Sequence, residues 1–395
     1  MHRRMPAHRR RITRAAAALA LASGIGIIVL AGCEIEPRGG PVSLAPDDQP
    51  LFPPIRLDRA SAGTLVALVS EQDPAHSSLA ALALYRADEP TAAWSRWSGL
   101  PLPPGCSDVD LAIGVDRVAV VASYGESLHV ASLPLDALQP TNVIETTTLR
   151  ADSTILGLAL GASLGVGESS PAHHLLILSE AGADSGRVLH HRRSDDGGRS
   201  WGPPQLLAHG VLGEAGIFAR SERADVIDVV YLRDGFLRRR GNTHGGRRWS
   251  AEREIRLRVD AESPIAVARL GHLVLAVAES DRHQVVCSSS RNGGHNWERA
   301  TALARQADKP RHPSADSGFG RFWVVFAERD SMLFARTTSS PWHPQQWSER
   351  IPIVPGPFAG CPAIRALPDS SAAVLYATPE GRVRCATTRW AEAAS

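Results

Sequence analysis

The chain has 395 residues, of which 34 are glycine, 28 are proline and 5% are aromatic. This length is enough for one large domain or two ordinary ones, and the composition favours a turn-rich all-β protein over a helical one. The formal net charge is +2, but residues 1–32 hold six arginines and no acid, so the rest of the chain is near −4. Net charge therefore gives no support to nucleic-acid binding. No metal-ligand spacing or phosphate-binding loop occurs, so we predict no metal and no cofactor.

The N-terminus has the pattern of a secretory signal peptide, with a basic segment followed by an apolar run over residues 15–30. That run has 16 residues, fewer than the ~20 that a membrane-spanning helix needs. Residues 30–33, Leu-Ala-Gly-Cys, resemble the lipobox of bacterial lipoproteins. The resemblance implies a signal peptide over residues 1–32, a lipid on Cys33 and anchorage to the bilayer of a bacterial cell envelope. Because Glu34 and not aspartate follows, it implies the outer membrane in a Gram-negative organism.

Residues 33–53 have no apolar periodicity, and we predict a flexible tether there. From residue 54 to 395 a strongly apolar strand recurs between turn signals. The seven recurrences are residues 64–69, 118–122, 174–178, 226–231, 272–277, 322–326 and 372–376. Four-stranded units in radial repetition form a β-propeller. We predict seven blades, with six as the alternative if the first or last unit is only part of a blade. The segment around residues 55–57 is expected to give the last blade its fourth strand.

Three stretches repeat every 48 residues, at 194–201, 242–249 and 290–297, and each has Gly-Gly, two polar residues and then Trp. Asn and Asp hydrogen-bond their own backbone in turns, and glycine supplies a positive φ, so each stretch predicts a tight turn between strands. The first copy matches every position of Ser-x-Asp-x-Gly-x-Ser/Thr-Trp, and it resembles the Asp-box of sialidases and related β-propellers. The resemblance implies outer turns with a structural role for Ser194, Asp196, Gly198, Trp201, Gly246, Trp249, Ser290, Asn292, Gly294 and Trp297.

The resemblance to sialidases also implies candidate site residues on the inner strands. Asp73 matches the acid/base residue, and Glu214 matches the glutamate that assists the nucleophile. Arg56, Arg233 and Arg365 match the arginines that bind the substrate carboxylate, with Arg329 as another candidate for the third. A retaining glycosidase needs a nucleophile opposite its acid/base. Where sialidases carry the nucleophilic tyrosine, this sequence has Cys361, which is shorter by a ring.

Two functions follow from these residues. The first is a cell-envelope lipoprotein whose propeller is a non-catalytic binding or scaffold module for a glycan or an envelope protein. The alternative is an exo-α-sialidase-type glycoside hydrolase with a divergent active site. The hydrolase requires a tyrosine hydroxyl near Glu214 and three convergent arginines. The sequence also allows a disulfide between Cys106 and Cys361.

Overall fold

The computed structural model describes residues 42–43, 51–60, 63–72, 80–103, 106–136, 144–163, 171–181, 186–218, 226–242, 246–261, 263–329, 331–380 and 382–389. Within these residues the chain forms 28 β-strands and two short 3-10 helices, Gln306–Asp308 and Pro344–Gln346. The strands make seven four-stranded antiparallel sheets. The all-β propeller with seven blades is therefore confirmed, and the six-bladed alternative is wrong.

The strands of each blade follow one another along the chain. Blade 1 has β2 (Leu51–Arg59), β3 (Leu65–Gln72), β4 (Ala80–Ala87) and β5 (Ser95–Gly99); blade 2 has β6 (Asp108–Ile113), β7 (Arg117–Tyr124), β8 (Ser127–Pro134) and β9 (Glu145–Arg150). Blade 3 has β10 (Ile155–Ser163), β11 (Ala172–Glu180), β12 (Arg187–Ser194) and β13 (Gln205–His209); blade 4 has β14 (Val211–Phe218), β15 (Ile227–Arg233), β16 (Phe236–Asn242) and β17 (Arg253–Arg258). Blade 5 has β18 (Ala266–Leu270), β19 (Leu273–Glu279), β20 (Val285–Ser290) and β21 (Thr301–Ala304); blade 6 has β22 (Pro310–Gly318), β23 (Arg321–Glu328), β24 (Met332–Thr338) and β25 (Ile351–Pro355). Blade 7 has β26 (Ala359–Ala366), β27 (Ser371–Ala377), β28 (Val383–Arg389) and β1 (Val42–Ser43).

The first strand of each blade is its inner strand. Around the ring, each inner strand contacts the inner strands of the two neighbouring blades, and β26 contacts β2 to close the circle. The seven apolar segments predicted from the sequence fall in the second strands, which are almost completely buried. These strands pack against neighbouring blades because both of their faces are apolar.

The ring is closed by an N-terminal strand, as expected, but not by the expected residues. Val42 pairs with Cys385 and Ser43 with Arg384, so β1 is the outermost strand of blade 7. Residues 55–57, which were expected in that place, belong to the inner strand β2. Ile55 and Leu57 are buried while Arg56 between them is half-buried in the channel, which is an inner-strand pattern. Some residues of the expected tether are thus paired into blades.

The regular spacing of the tryptophans reflects packing between blades. Trp201 packs against the apolar cluster between blades 2 and 3, Trp249 against the one between blades 3 and 4, and Trp297 against the one between blades 4 and 5. In blade 2, where the tryptophan of the repeat is missing, Leu149 is buried in the same cluster as Trp201. A large apolar side chain at each of these places buries the joint between neighbouring sheets.

Candidate site in the central channel

The inner strands enclose a central channel with a cavity of about 290 Å³, and residues from all seven of them line it. Most of the lining residues are of apolar types, and they include small residues such as Gly161 and Gly216. The charged side chains of the lining are Arg56, Arg365, Asp58, Asp110 and Asp316. Three carboxylates therefore face two guanidinium groups in this cavity.

Both channel arginines are bound to aspartates of the propeller itself. Arg56 donates from Nε to Oδ1 of Asp110 at 3.1 Å, and its Nη2 lies 3.6 Å from Oδ1 of Asp108. Arg365 donates from Nε to Oδ1 of Asp58 at 3.1 Å, which joins blade 7 to blade 1. Each guanidinium thus already has a carboxylate partner inside the ring.

Aspartates of the inner strands, most of which line the channel, also tie three of the blades to the blade that follows. Asp58 of blade 1 accepts a hydrogen bond from the amide of Ile113 in blade 2 at 2.8 Å. Asp108 and Asp110 of blade 2 accept hydrogen bonds from the amides of Leu158 and Leu160 in blade 3, at 2.8 and 2.7 Å. Asp316 of blade 6 accepts one from the amide of Ala366 in blade 7 at 2.8 Å. Inner strands have one unpaired edge, and these carboxylates satisfy part of it.

The electrostatics of these groups follow from their confinement. Burial raises the pKa of Asp110, and the Arg56 guanidinium and the amides of Leu160 and Leu111 offset part of that effect. For Arg365, loss of hydration lowers the pKa, but the Asp58 and Asp316 carboxylates outweigh it, so the pKa is raised. The positive form of Arg365 is therefore held by carboxylates on two neighbouring blades.

The remaining predicted site residues are not gathered with Arg56 and Arg365. Arg233 does not line the channel, and its Nη1 lies 3.3 Å from Oε2 of Glu252. Arg329 donates to the carbonyl of Ala307, also away from the channel lining. Asp73 and Cys33 lie outside the described residues. Glu214 falls in a β-bulge of β14, and its side chain lies outside the described part of the chain.

All four tyrosines of the chain are described, and none lines the channel cavity. Tyr85 donates to Glu71 at 2.6 Å, and Tyr231 donates to Glu252, but both pairs lie within blades away from the channel. Tyr376 packs edge-on against Phe358 at a ring distance of 5.6 Å. Cys361, the residue at the position that matches the sialidase nucleophile, does line the channel cavity. No two of the cysteines in the described ranges form a disulfide, so the Cys106–Cys361 bridge is wrong.

The described residues of the three Gly-Gly turns (residues 194–201, 242–249 and 290–297) are not part of the channel lining. Ser194 accepts from the amide of Gly198 at 2.8 Å, and Asp196 accepts from the amide of Ser200 at 2.9 Å. In the third turn, Ser290 accepts a hydrogen bond from the amide of Gly294 and Asn292 accepts one from the amide of Asn296, both at 2.8 Å. In the second turn, Asn242 takes the place of the serine and accepts from Gly246 at 3.0 Å.

Each Gly-Gly turn also packs against the blade before it. A Cβ on Gly197 would lie 2.3 Å from the Arg117 side chain of blade 2, and one on Gly246 would lie 2.9 Å from His191 of blade 3. A Cβ on Gly294 would lie 2.4 Å from Nε of Arg239 in blade 4. Arg239 is itself held in a buried ion pair with Asp228. The glycines are thus needed both for positive φ and for close approach.

Sequence reasoning missed the channel aspartates. Asp58 and Asp108 are 50 residues apart, one blade length, and each hydrogen bond to the next blade spans 50 to 55 residues. A search for aspartates recurring at the blade period within inner strands would have found the first two.

No protein-family model matches the sequence, and no curated protein matches it either. Among solved structures, the chain is similar to the NanB sialidase of Streptococcus pneumoniae, with 13% identity over 91% of this chain and 70% of that one and a TM-score of 0.46. The α-L-arabinofuranosidase Arb93A of Fusarium graminearum shares 14% identity over 92% of this chain and 100% of its own, with a TM-score of 0.47. A fucose-specific lectin of Aleuria aurantia shares 12% identity over 78% and 96%, with a TM-score of 0.47. The structure thus resembles sialidases and related β-propellers, while its own seven sheets establish the fold.

In the described ranges, no group of three or more His, Cys, Asp or Glu side chains is arranged to hold a metal ion. Within the same ranges, no helix has both the length and the apolar character needed to cross a membrane.

Proposed function

We propose that this protein is a lipid-anchored envelope protein whose propeller binds a glycan or an envelope protein without catalysing a reaction. One observation carries the non-catalytic part: the two channel arginines are already bound to the propeller's own aspartates. Arg365 contacts Asp58 at 3.1 Å, and Arg56 contacts Asp110 at 3.1 Å.

A sialidase site works with guanidinium groups that are open to a substrate carboxylate, which they bind bidentately. Here an incoming carboxylate would compete with Asp58 for Arg365 or with Asp110 for Arg56. The cavity would then hold four carboxylates against two guanidinium groups, because three aspartates already line it. Like charges at such short range disfavour the ionised ligand. This electrostatic balance supports a binding role for a neutral ligand or a protein over hydrolysis of a sialoside.

The anchoring part of the proposal is supported by the sequence of residues 1–33 alone. A lipid on Cys33 would hold the propeller at the bilayer surface, with a short connection before β1 at Val42. A single acyl chain gives only marginal membrane binding, whereas several chains anchor a protein stably.

Hydrolysis of a fluorogenic sialoside tests the non-catalytic part. The purified full chain is expected to release no fluorophore above the rate of its Asp73→Ala variant, with an active sialidase as the positive control for the assay. Robust turnover that is lost in Asp73→Ala would overturn the proposal in favour of the hydrolase alternative.

Binding to a panel of immobilised neutral and acidic glycans tests the other part. We expect saturable binding that weakens at least tenfold when Ser314→Tyr fills the channel, because Ser314 is a half-buried residue of the lining. A matched change away from the channel, Ser95→Tyr, is expected to leave binding unchanged. Equal binding by both variants would place the ligand outside the channel.

Fractionation of cells tests the anchor. The wild-type chain is expected in the membrane fraction and Cys33→Ser in the soluble envelope fraction. Unchanged membrane association of Cys33→Ser would refute lipidation at this residue.

A further inference from the structure

The four cysteines in the described ranges differ in what surrounds them. Cys287 and Cys385 are buried in apolar clusters between blades, and burial raises the pKa of each thiol to about 12. Cys106 is half-buried, and burial raises the pKa of its thiol as well. Cys361 is also half-buried, but it lines the channel cavity, and its Sγ lies 3.4 Å from Nδ1 of His312. Cys361 thus combines a solvent approach with an imidazole at hydrogen-bonding distance.

The backbone at this place is irregular in two adjacent blades. His312 lies in a β-bulge of the inner strand β22, between Arg311 and Ser314, and has a φ of 56°. Cys361 lies in the corresponding irregularity of β26, between Ala359 and Ala363. Bulges redirect side chains out of the regular alternation of a strand. Both bulges lie at the N-terminal ends of inner strands, so they meet at one rim of the channel.

We propose that Cys361 and His312 form a nucleophilic thiol–imidazole pair that takes small-molecule disulfides at this rim of the channel. His312 accepts the thiol proton, and the Cys361 thiolate attacks one sulfur of the incoming disulfide. A new S–S bond forms between Cys361 and that sulfur while the original S–S bond breaks. The second sulfur leaves as a thiolate and recovers the proton from His312. Cys361 is oxidised and the leaving sulfur is reduced, so the incoming disulfide is the oxidant and no further oxidant or reductant is needed.

This chemistry needs only what the rim supplies. Thiol–disulfide exchange requires a thiolate, access to it along the S–S axis, and a proton donor for the leaving thiol. A histidine next to a cysteine promotes thiolate formation and so raises its reactivity. The cavity of about 290 Å³ gives a small disulfide room to reach Sγ.

Oxidised glutathione is a suitable probe, with peptide mapping by mass spectrometry to assign each mixed disulfide. At pH 7 we expect Cys361 in the intact folded chain to react about tenfold faster than Cys106, the matched half-buried cysteine, as proton transfer to a positioned base contributes at least that much. Cys287 and Cys385 are expected to remain unmodified, and they report any unfolding. Equal rates at Cys361 and Cys106 would overturn the proposal.

The variant His312→Gln separates a chemical role of the imidazole from a structural one. It is expected to slow the reaction of Cys361 about tenfold at pH 7. At pH 10 the loss should be less than about twofold, because hydroxide forms the thiolate there without help from the imidazole. An unchanged rate at pH 7, or an equal loss at both pH values, contradicts the proposal. If the variant unfolds, the wild-type pH profile decides: Cys361 must gain its reactivity at lower pH than Cys106 does, and identical profiles overturn the pair. This measurement involves neither sialoside turnover nor glycan binding, so its outcome is independent of the proposed function.

Discussion

The outer turns and the inner channel both join one blade to the next, but they do so with different chemistry. At the outside, a Gly-Gly turn packs its backbone against the side chains of the preceding blade, as Gly294 does against Arg239. At the inside, a carboxylate such as Asp110 accepts a hydrogen bond from the following blade. The outer joint depends on the absence of a side chain and the inner joint on the presence of a charged one. Substitutions should therefore damage the two joints for opposite reasons.

The largest effect is expected from Gly294→Ala at the outer joint. The new Cβ would meet Arg239 Nε at 2.4 Å, and the residue has a φ of 82°. A left-handed backbone costs a non-glycine residue about 1–2 kcal/mol, and disturbing the buried Arg239–Asp228 pair costs about 3 kcal/mol more. Chemical denaturation should show a loss of about 4–5 kcal/mol in the free energy of unfolding, as the sum of these two contributions.

Gly235→Ala is the matched control for the outer joint. Gly235 has a φ of 76°, and no atom lies within 4 Å of a Cβ placed on it. Only the backbone term applies, so the expected loss is about 1–2 kcal/mol. Equal losses in the two variants would show that the contact with the preceding blade contributes nothing.

A smaller effect is expected from Asp110→Ala at the inner joint. The change leaves Arg56 without its Nε acceptor and the amides of Leu160 and Leu111 without theirs. Removing one partner of this partly buried pair, together with the acceptor of two backbone amides, costs about 2 kcal/mol. The exposed Asp88→Ala removes only a surface ion pair with Arg86 and should cost less than about 1 kcal/mol. A loss at Asp110 no greater than that at Asp88 would contradict the role of the inner carboxylates.

Histidines make the two joints of blade 3 sensitive to acid. Gly246 packs on His174 and His191 at the joint with blade 4, whereas His173, on the opposite face of the same strand, is buried against Gly114 of blade 2. Burial lowers the pKa of His173 and of His191 from 6.5 to about 4. At pH values between 4 and 6.5 the unfolded chain binds more protons than the folded one. The free energy of unfolding therefore falls as the pH drops from 6.5 to 4.

The variant His173→Gln should flatten this decline by about 1 kcal/mol per pH unit between pH 5 and pH 7, because one titrating group contributes at most about 1.4 kcal/mol per pH unit. Denaturant unfolding at pH 5 and pH 7 measures the slope, and the exposed His343→Gln serves as the control. A slope that His173→Gln leaves unchanged would exclude this histidine as an acid-sensitive element of the joint with blade 2.

The contrast between the joints also explains which features the sequence could predict. The Gly-Gly turns are contiguous and repeat every 48 residues, and the apolar second strands repeat with them, so the blade count was accessible. Asp58 and Ile113 are 55 residues apart, and no local pattern links a carboxylate to a distant amide. Arg56 was expected to serve a ligand, but no pattern around it predicts its bond to Asp110, because that contact exists only once the ring has closed. The closing strand β1 is two residues long, too short to show periodicity.

The non-catalytic proposal depends most on whether the channel arginines belong to the propeller's own structure. A double-mutant cycle on Asp58→Asn and Arg365→Met, measured by chemical denaturation, addresses this directly. Residues in one hydrogen-bonded ion pair are expected to show a coupling energy of about 1–2 kcal/mol. Additive effects within about 0.3 kcal/mol would mean that Arg365 gains no stability from Asp58. The guanidinium would then be available to a ligand carboxylate, and the non-catalytic proposal would lose its main support.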